Sequence, residues 1–178
     1  PYITQQSWNY DGTKFIFGNN ETQAMYEYDI VNETVRFLDY ARVDGVHLKA
    51  VVTPDDKIYY CKGGDGGTWC MDWKSYRRER LSDTQFTIIS VTNDGSYASG
   101  YYMGSGADRI LARLDLKTDT IEYLYKDFKS ENPASAGIGH PQLNPEYPEL
   151  EFFCNEGETT LIPDRLWLAD WDSREMYN

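Results

Sequence analysis

The side chains best suited to chemistry lie in the last quarter of the chain. They occur in three short segments, Gly-His-Pro at 139–141, Phe-Cys-Asn-Glu-Gly at 153–157 and Asp-Arg at 164–165. The guanidinium of Arg165 is always charged and can bind a carboxylate through two hydrogen bonds. His140 can bond a polar ligand or a backbone group of its own turn. Glu156 can orient the arginine or cap a turn, and an ion pair of Arg165 with Glu156 or Asp164 is the structural alternative.

Motifs of several other chemistries are absent from the sequence. The only histidines, His47 and His140, lie far apart, and there is no HxH, HxxxH or CxxC pair. A metal site made by this stretch alone is therefore not expected. There is also no GxSxG motif and no P-loop. The glycine-rich run at 63–67 precedes no helical pattern, which favours a hairpin turn over a phosphate site.

Four segments of the chain end in the same way, with an aspartate that leads into a polar turn. The aligned aspartates are Asp29, Asp72, Asp115 and Asp170. The spacing of the first three matches the roughly 40–45 residues of a four-stranded propeller blade. Each segment also has an earlier turn rich in Asp, Asn, Gly or Pro. We expect the repeated carboxylates to accept hydrogen bonds from backbone donors in the turn after the third strand.

Short runs rich in aromatic and β-branched residues lie between these turns, and no segment keeps a helical period. The pattern predicts an all-β fold, a β-propeller of about four antiparallel four-stranded blades. We place the blades at about 1–40, 41–82, 83–127 and 138–178, with an inserted loop at 128–138. That loop is either functional or a plain surface insertion.

Four blades rarely close a ring alone, and an open array leaves apolar faces and strand edges exposed. Since the chain also begins with Pro1 rather than Met, we expect a piece of a longer protein.

Composition limits the partners of the chain. The net charge is −12, which argues against non-specific binding to nucleic acid or to an anionic membrane. No apolar run approaches the roughly 20 residues that span a bilayer. We therefore expect no nucleic-acid partner and no membrane partner.

The three cysteines occur in no motif. Cys61 and Cys70 flank the glycine-rich turn, and Cys154 lies far from both. An odd number of cysteines favours reduced, structural thiols. A disulfide between Cys61 and Cys70 stays open as an alternative, and it would indicate an oxidising compartment.

The three chemical segments carry a family resemblance. Gly-His-Pro, Phe-Cys-Asn-Glu-Gly and an Asp-Arg pair before an aromatic strand resemble the oligogalacturonate lyases, a family built on a seven-bladed propeller. The opening Pro-Tyr-Ile-Thr-Gln at 1–5 and the Asp-Gly turn at 11–12 also resemble it. The resemblance is close from residue 139 onward and loose before that, and it corresponds to the N-terminal half of a family member. One departure is Asn155, which stands where the family usually has histidine.

The resemblance implies an enzyme that cleaves oligogalacturonides by β-elimination during pectin degradation. Arg165 aligns with a catalytic arginine that stabilises negative charge on the uronate, while His140, Asn155 and Glu156 are implied to bind the substrate. The family also uses a divalent, manganese-like metal. Its ligands and the catalytic base lie beyond Asn178, so no residue of this stretch is assigned to either.

Two other functions stay open. One is a non-catalytic propeller of the periplasmic type that binds protein or sugar. The other is a sugar-binding or hydrolytic propeller without the lyase site. A cluster of His and Gln downstream of residue 178 would favour the lyase, and the location, cytoplasmic or periplasmic, is left open.

Overall fold

The computed structural model describes residues 6–45, 47–62, 66–84, 86–103, 109–124, 135–157 and 166–178. These ranges contain strands and turns and no helix, which confirms the all-β prediction. None of them therefore holds a helix long and apolar enough to cross a bilayer. The chain divides into two compact units, Pro1–Ile88 and Ile89–Asn178.

The first unit contains two antiparallel sheets joined by a small hairpin. Blade 1 consists of β1 (Lys14–Asn19), β2 (Ala24–Asp29) and β3 (Thr34–Tyr40), in that order. The hairpin is β4 (Val43–Asp44) with β5 (His47–Leu48), and it contains His47. Blade 2 is the four-stranded sheet β6 (Ala50–Val52), β7 (Lys57–Cys61), β8 (Thr68–Asp72) and β9 (Arg78–Ser82). Before β1, Trp8 forms a β-bridge with Phe15. Trp8 therefore lies at the edge of blade 1 that corresponds to the edge occupied by β6 in blade 2.

The second unit contains two four-stranded sheets. Blade 3 consists of β10 (Thr87–Val91), β11 (Tyr97–Met103), β12 (Arg109–Asp115) and β13 (Thr120–Leu124). Blade 4 consists of β14 (Ser135–Leu143), β15 (Leu150–Gly157), β16 (Leu166–Asp170) and β17 (Glu175–Tyr177). β14 begins at Ser135, inside the stretch 128–138 that was predicted as an inserted loop. Within that stretch, Ile138 pairs with Asn155 and is completely buried. The rest of that stretch, 128–134, lies outside the described residues.

The repeated aspartates end the last strand but one of all four blades, at the ends of β2, β8, β12 and β16. Each carboxylate accepts a backbone hydrogen bond in the turn that follows, as in the 2.8 Å bond from Lys117 to Asp115. Backbone donors favour the ionised form, so they lower the pKa of Asp29, Asp72 and Asp170. The expected role of these residues is confirmed.

The residue four positions after each of these aspartates adopts a left-handed backbone conformation. These residues are Glu33, Tyr76, Asp119 and Arg174, with φ between 52° and 64°. A left-handed residue reverses the chain tightly between the last two strands of each blade. The repeat seen in the sequence is therefore a repeat of turn geometry.

Apolar packing joins the two blades inside each unit. We call the side of a blade that faces the preceding blade its incoming face, and the other side its outgoing face. In the first unit, Ile16, Met25 and Leu38 on the outgoing face of blade 1 pack against the incoming face of blade 2, which includes Tyr60 and Trp73.

The second unit repeats this packing. Leu111 and Leu124 on the outgoing face of blade 3 pack against Phe153, Ala169 and Trp171 on the incoming face of blade 4.

A buried bond between tryptophan and glutamate accompanies the packing in both units. Trp73 and Trp171 each follow a repeated aspartate. The indole Nε1 of Trp73 donates to Glu27 at 2.6 Å, and that of Trp171 donates to Glu151 at 2.8 Å. Both carboxylates are at most 3% exposed.

Cys61 and Cys70 are reduced. Cys61 lies opposite Thr68 in the β7–β8 hairpin and Cys70 lies opposite Tyr59, so the two cysteines are offset along the strands rather than paired. Burial raises the pKa of each thiol to about 11. The register of the hairpin thus favours the reduced alternative.

Candidate functional site

A β-bulge in the first strand of blade 4 contains the Gly-His-Pro motif. Gly139 of β14 pairs with Cys154 of β15, and pairing resumes only where Gln142 meets Phe152, so His140 and Pro141 lie in the bulge. A proline has no N–H to donate to a strand ladder and is suited to this place. His140 has a φ of 50°. A residue other than glycine in this region costs roughly 1–3 kcal/mol and marks a backbone shaped to aim a side chain.

The bulge places His140 beside Glu156. The two side chains approach to 3.3 Å between His140 Nε2 and Glu156 Oε1. The side chains are 37% and 25% exposed in this chain. Two residues from separate segments of the sequence thus form one partly open polar pair.

Gly139 makes room for this pair. A β-carbon at position 139 would lie 2.4 Å from Cγ of Glu156 and 2.8 Å from its Oε1. Since contacts below about 3 Å force something to move, any larger residue at 139 would displace the Glu156 carboxylate. The three residues of the motif therefore have separate roles: space for the carboxylate, presentation of the imidazole, and interruption of the ladder.

Asn155 lies on the opposite side of β15 from Glu156. Successive residues of a strand point to opposite faces, and Asn155 is on the incoming face, only 2% exposed. Of the three side chains predicted to bind substrate, the structure brings His140 and Glu156 together and buries Asn155 behind them.

Arg165 and Asp164 lie outside the described residues. The strand that follows them, β16, begins at Leu166, which pairs with Cys154. The described chain therefore resumes beside the end of β15 that carries Asn155 and Glu156.

In the described part of the site, the carboxylate of Glu156 lies against the imidazole of His140, so no surplus positive charge is left there to bind an anion. A sugar acid that binds here needs a cation from elsewhere to offset its carboxylate.

Comparison with known structures places the fold. An oligogalacturonate lyase in complex with manganese is 20% identical, with a TM-score of 0.74 over 99% of this chain and 52% of that one. An oligogalacturonate lyase from Vibrio parahaemolyticus is 17% identical, with a TM-score of 0.73 over 99% of this chain and 51% of that one. The chain has the propeller fold of the oligogalacturonate lyases. It spans about half the length of these two lyases.

The fold is shared with proteins of other functions. TolB from Acinetobacter baumannii is 19% identical, with a TM-score of 0.63 over 96% of this chain and 41% of that one. No protein-family profile matches the sequence, and no curated protein matches it. The oligogalacturonate lyase resemblance is thus confirmed as a likeness of fold over the whole chain.

The described residues of this oligogalacturonate lyase-like propeller hold no group of three or more His, Cys, Asp or Glu side chains that could bind a metal. They do not fit the manganese-like ion that the resemblance implies. We therefore assign no metal ligand and no metal-dependent step to them.

Sequence reasoning missed two features of blade 4. The first is Gly139, whose role depends on the position of Glu156 across the sheet. The second is Glu151, a fully buried acid that accepts hydrogen bonds from Ser99 and Trp171. The sequence held one signal for Glu151. It lies two residues before Phe153, so both side chains point to the same face of β15, which is the face that packs against blade 3.

Proposed function

We propose that this chain is part of an enzyme that cleaves oligogalacturonides by β-elimination, with blade 4 binding the uronate. The observation that carries the proposal is the His140–Glu156 pair, set in a strained bulge and open to solvent. The lyase-like fold supports it, since both oligogalacturonate lyases align with almost the whole chain.

β-Elimination on a uronide needs positive charge near the carboxylate. A base removes the proton at C5, the electrons form a double bond between C4 and C5, and the C4 oxygen leaves with a proton. Negative charge builds on the uronate carboxylate as the C5–H bond breaks. We assign Arg165 to this charge, because a guanidinium stays protonated and can hold both carboxylate oxygens. The base is not assigned to any described residue.

His140 and Glu156 would then orient the sugar ring. The imidazole of His140 can bond a hydroxyl or carboxylate oxygen of the substrate. Glu156 fixes the orientation of the imidazole ring through the 3.3 Å contact between its Oε1 and His140 Nε2. Asn155 is buried on the other side of β15, which suits a role in supporting that strand rather than in touching the sugar.

The test uses a protein that contains the complete propeller. Arg165→Ala should abolish the ultraviolet absorbance of the unsaturated product, and Arg165→Lys should restore little of it, since a lysine cannot grip two oxygens at once. Arg77→Ala, at an exposed arginine of blade 2, serves as the matched control and should keep full activity. Activity retained in the Arg165→Ala variant would remove this residue from the mechanism.

A non-catalytic binding propeller is the second candidate, and the likeness to TolB favours it. The two functions separate in one experiment with a short oligogalacturonide. A binder retains the intact oligosaccharide with a measurable heat of binding and releases no unsaturated product. A lyase consumes it.

A further inference from the structure

The small hairpin between blades 1 and 2 has an apolar side and a polar side. Val43 and Leu48 lie opposite each other on the apolar side and approach Gly18 of blade 1. A β-carbon at position 18 would lie 2.7 Å from Cγ2 of Val43 and 3.2 Å from Cβ of Leu48. Since successive residues of a strand point to opposite faces, the residues that flank this pair share the polar side. They are Arg42, Asp44, His47 and Lys49.

Two positive charges are held next to each other on the polar side. Just beyond the β4–β5 pairs, the backbone N–H of Lys49 donates to the carbonyl oxygen of Arg42 at 2.9 Å. The N–H of Arg42 donates to the carbonyl of Cys61 at 2.8 Å, and the N–H of Cys61 donates to that of Lys49 at 3.1 Å. Like charges on adjacent strands repel each other. The end of β7 and the hairpin therefore hold two cations together against their repulsion.

Asp44 is the only acid among these four polar side chains, and it balances one of the two charges. It accepts a hydrogen bond from Nε of Arg42 at 3.1 Å, whereas its other oxygen lies 3.9 Å from Nζ of Lys49, beyond hydrogen-bond distance. The side chain of Lys49 is only 8% exposed. No described residue accepts a hydrogen bond from its ammonium group, which has three donors. A buried charge without hydrogen bonds is costly, so an anionic acceptor would stabilise it.

Thr87 adds a neutral donor beside Arg42. Its Oγ1 accepts a hydrogen bond from Nη1 of Arg42 at 3.2 Å, and the residue is buried. Because the hydroxyl oxygen accepts this bond, its own proton can be donated to a ligand. Thr87 belongs to the first unit, as do Arg42 and Lys49. A guanidinium, an ammonium and a hydroxyl together suit the two oxygens of a carboxylate.

We propose that Arg42, Lys49 and Thr87 bind the carboxylate of a galacturonate residue, at a site separate from the His140–Glu156 pair. The identity of this acid rests on the proposed function. The carboxylate supplies the negative charge that the two cations lack, and its oxygens accept the protons of Lys49 and Thr87. An oligogalacturonide carries a carboxylate on each sugar, so the substrate itself offers the ligand.

The register of the strands relates this site to the bulge of blade 4. Counted from the repeated aspartates, Cys61 of blade 2 corresponds to Cys154 of blade 4. The carbonyl of Lys49 accepts from Cys61, while Gly139, next to His140, pairs with Cys154. Blade 2 thus carries positive charge at the strand position where the Gly-His-Pro motif begins in blade 4.

The test uses a protein that contains the complete propeller, with Arg165→Ala as the background so that the substrate stays intact. Lys49→Met removes the charge and keeps a side chain of similar length. It should weaken the binding of a short oligogalacturonide, measured by calorimetry, by roughly tenfold or more, as expected for a lost hydrogen bond between charged groups. Lys74→Met is the matched control and should bind like the background, because it removes the same charge from the turn after β8, where Lys74 is 79% exposed.

Two further measurements keep the test independent of the fold of one variant. Arg42→Gln changes a side chain that is 45% exposed, so it should preserve the circular dichroism spectrum while weakening the binding of the acid. A fully methyl-esterified oligogalacturonide has no charged carboxylate. It should bind more weakly than the acid, and Lys49→Met should weaken it no further.

Equal affinity of the acid for the background, Lys49→Met and Arg42→Gln would overturn the proposal. An equal loss in Lys74→Met would also overturn it, because the effect would then come from net charge alone. The outcome is separable from that of the lyase proposal. Binding that depends on Lys49, without unsaturated product from the protein that retains Arg165, would refute the lyase and leave this site standing. Product formation with binding that is indifferent to Lys49 would do the reverse.

Discussion

Glu151 is a buried carboxyl group whose titration should control the stability of the second unit. It is 1% exposed, lies on β15, and accepts hydrogen bonds from Ser99 of blade 3 and from Trp171. Burial raises its pKa to about 8, because the two donors and the nearby charge of Arg113 offset only part of the lost hydration. The neutral acid is therefore the main form in the folded chain at neutral pH.

The sign of the pH dependence follows from the raised pKa. Between the ordinary value of 4.5 and about 8, the folded chain holds a proton here that the unfolded chain has released. Stability due to this group is complete below 4.5 and is lost as the pH rises through that interval. A pKa unit corresponds to about 1.4 kcal/mol, so the free energy of unfolding should fall by about 3 kcal/mol by pH 7 and by about 5 kcal/mol above pH 8.

Glu151→Gln tests this reasoning. Glutamine can accept from Trp171 through its carbonyl and donate to Ser99 through its amide, so it keeps both bonds without a titrating proton. Urea unfolding at about pH 5, 7 and 9, followed by tryptophan fluorescence, should show that the variant becomes the more stable chain as the pH rises. Glu146→Gln, at an exposed turn of the same unit, should keep the wild-type dependence. Equal pH dependence in the wild type and Glu151→Gln would refute the raised pKa.

Three further outcomes are expected. Trp73→Phe removes the donor to buried Glu27 and should lower the free energy of unfolding by about 1–3 kcal/mol, measured in urea, whereas a loss near zero would show that the bond is dispensable. Gly139→Ala should leave the circular dichroism spectrum unchanged but shift the NMR signals of the Glu156 side chain, and unchanged signals would contradict the close approach. Cys61 should react with a thiol reagent only after urea unfolding, because burial raises its pKa to about 11, and rapid reaction in the folded chain would contradict that burial.

The fold was largely predictable because its strongest signals are local. Asp72, for example, accepts a bond from the backbone of Ser75, three residues away, so the turn follows from the sequence around it. The start of β14 was not predictable in this way. Ser-Ala-Gly-Ile-Gly at 135–139 has the composition of a loop, and only pairing with β15 makes it a strand.

The candidate site was predictable in part. The resemblance named His140 and Glu156, and the structure brings them together through the register of β14 and β15. Alternation along a strand could have shown that Asn155 and Glu156 do not face the same ligand. The left-handed backbone of His140 could not be foreseen, because it results from the bulge that the facing strand imposes.

The contacts between blades show what the repeat fixes and what it leaves variable. Glu27 and Arg113 both lie two residues before a repeated aspartate, on the outgoing faces of blades 1 and 3. Each meets a tryptophan of the next blade. Glu27 accepts the Nε1 proton of Trp73, whereas the guanidinium of Arg113 lies over the ring of Trp171, with Cζ 4.7 Å from the centroid.

An arginine cannot accept the indole proton, so the acceptor in the second unit has to come from elsewhere. It comes from Glu151, on the same blade as Trp171, at 2.8 Å. The position of the tryptophan is thus constant while the charge opposite it is reversed. For this reason, exchanging Glu27 for arginine alone would leave the Nε1 of Trp73 without its carboxylate. Ile58 occupies the position in blade 2 that Glu151 occupies in blade 4. Ile58 is therefore the residue that would have to become acidic to compensate.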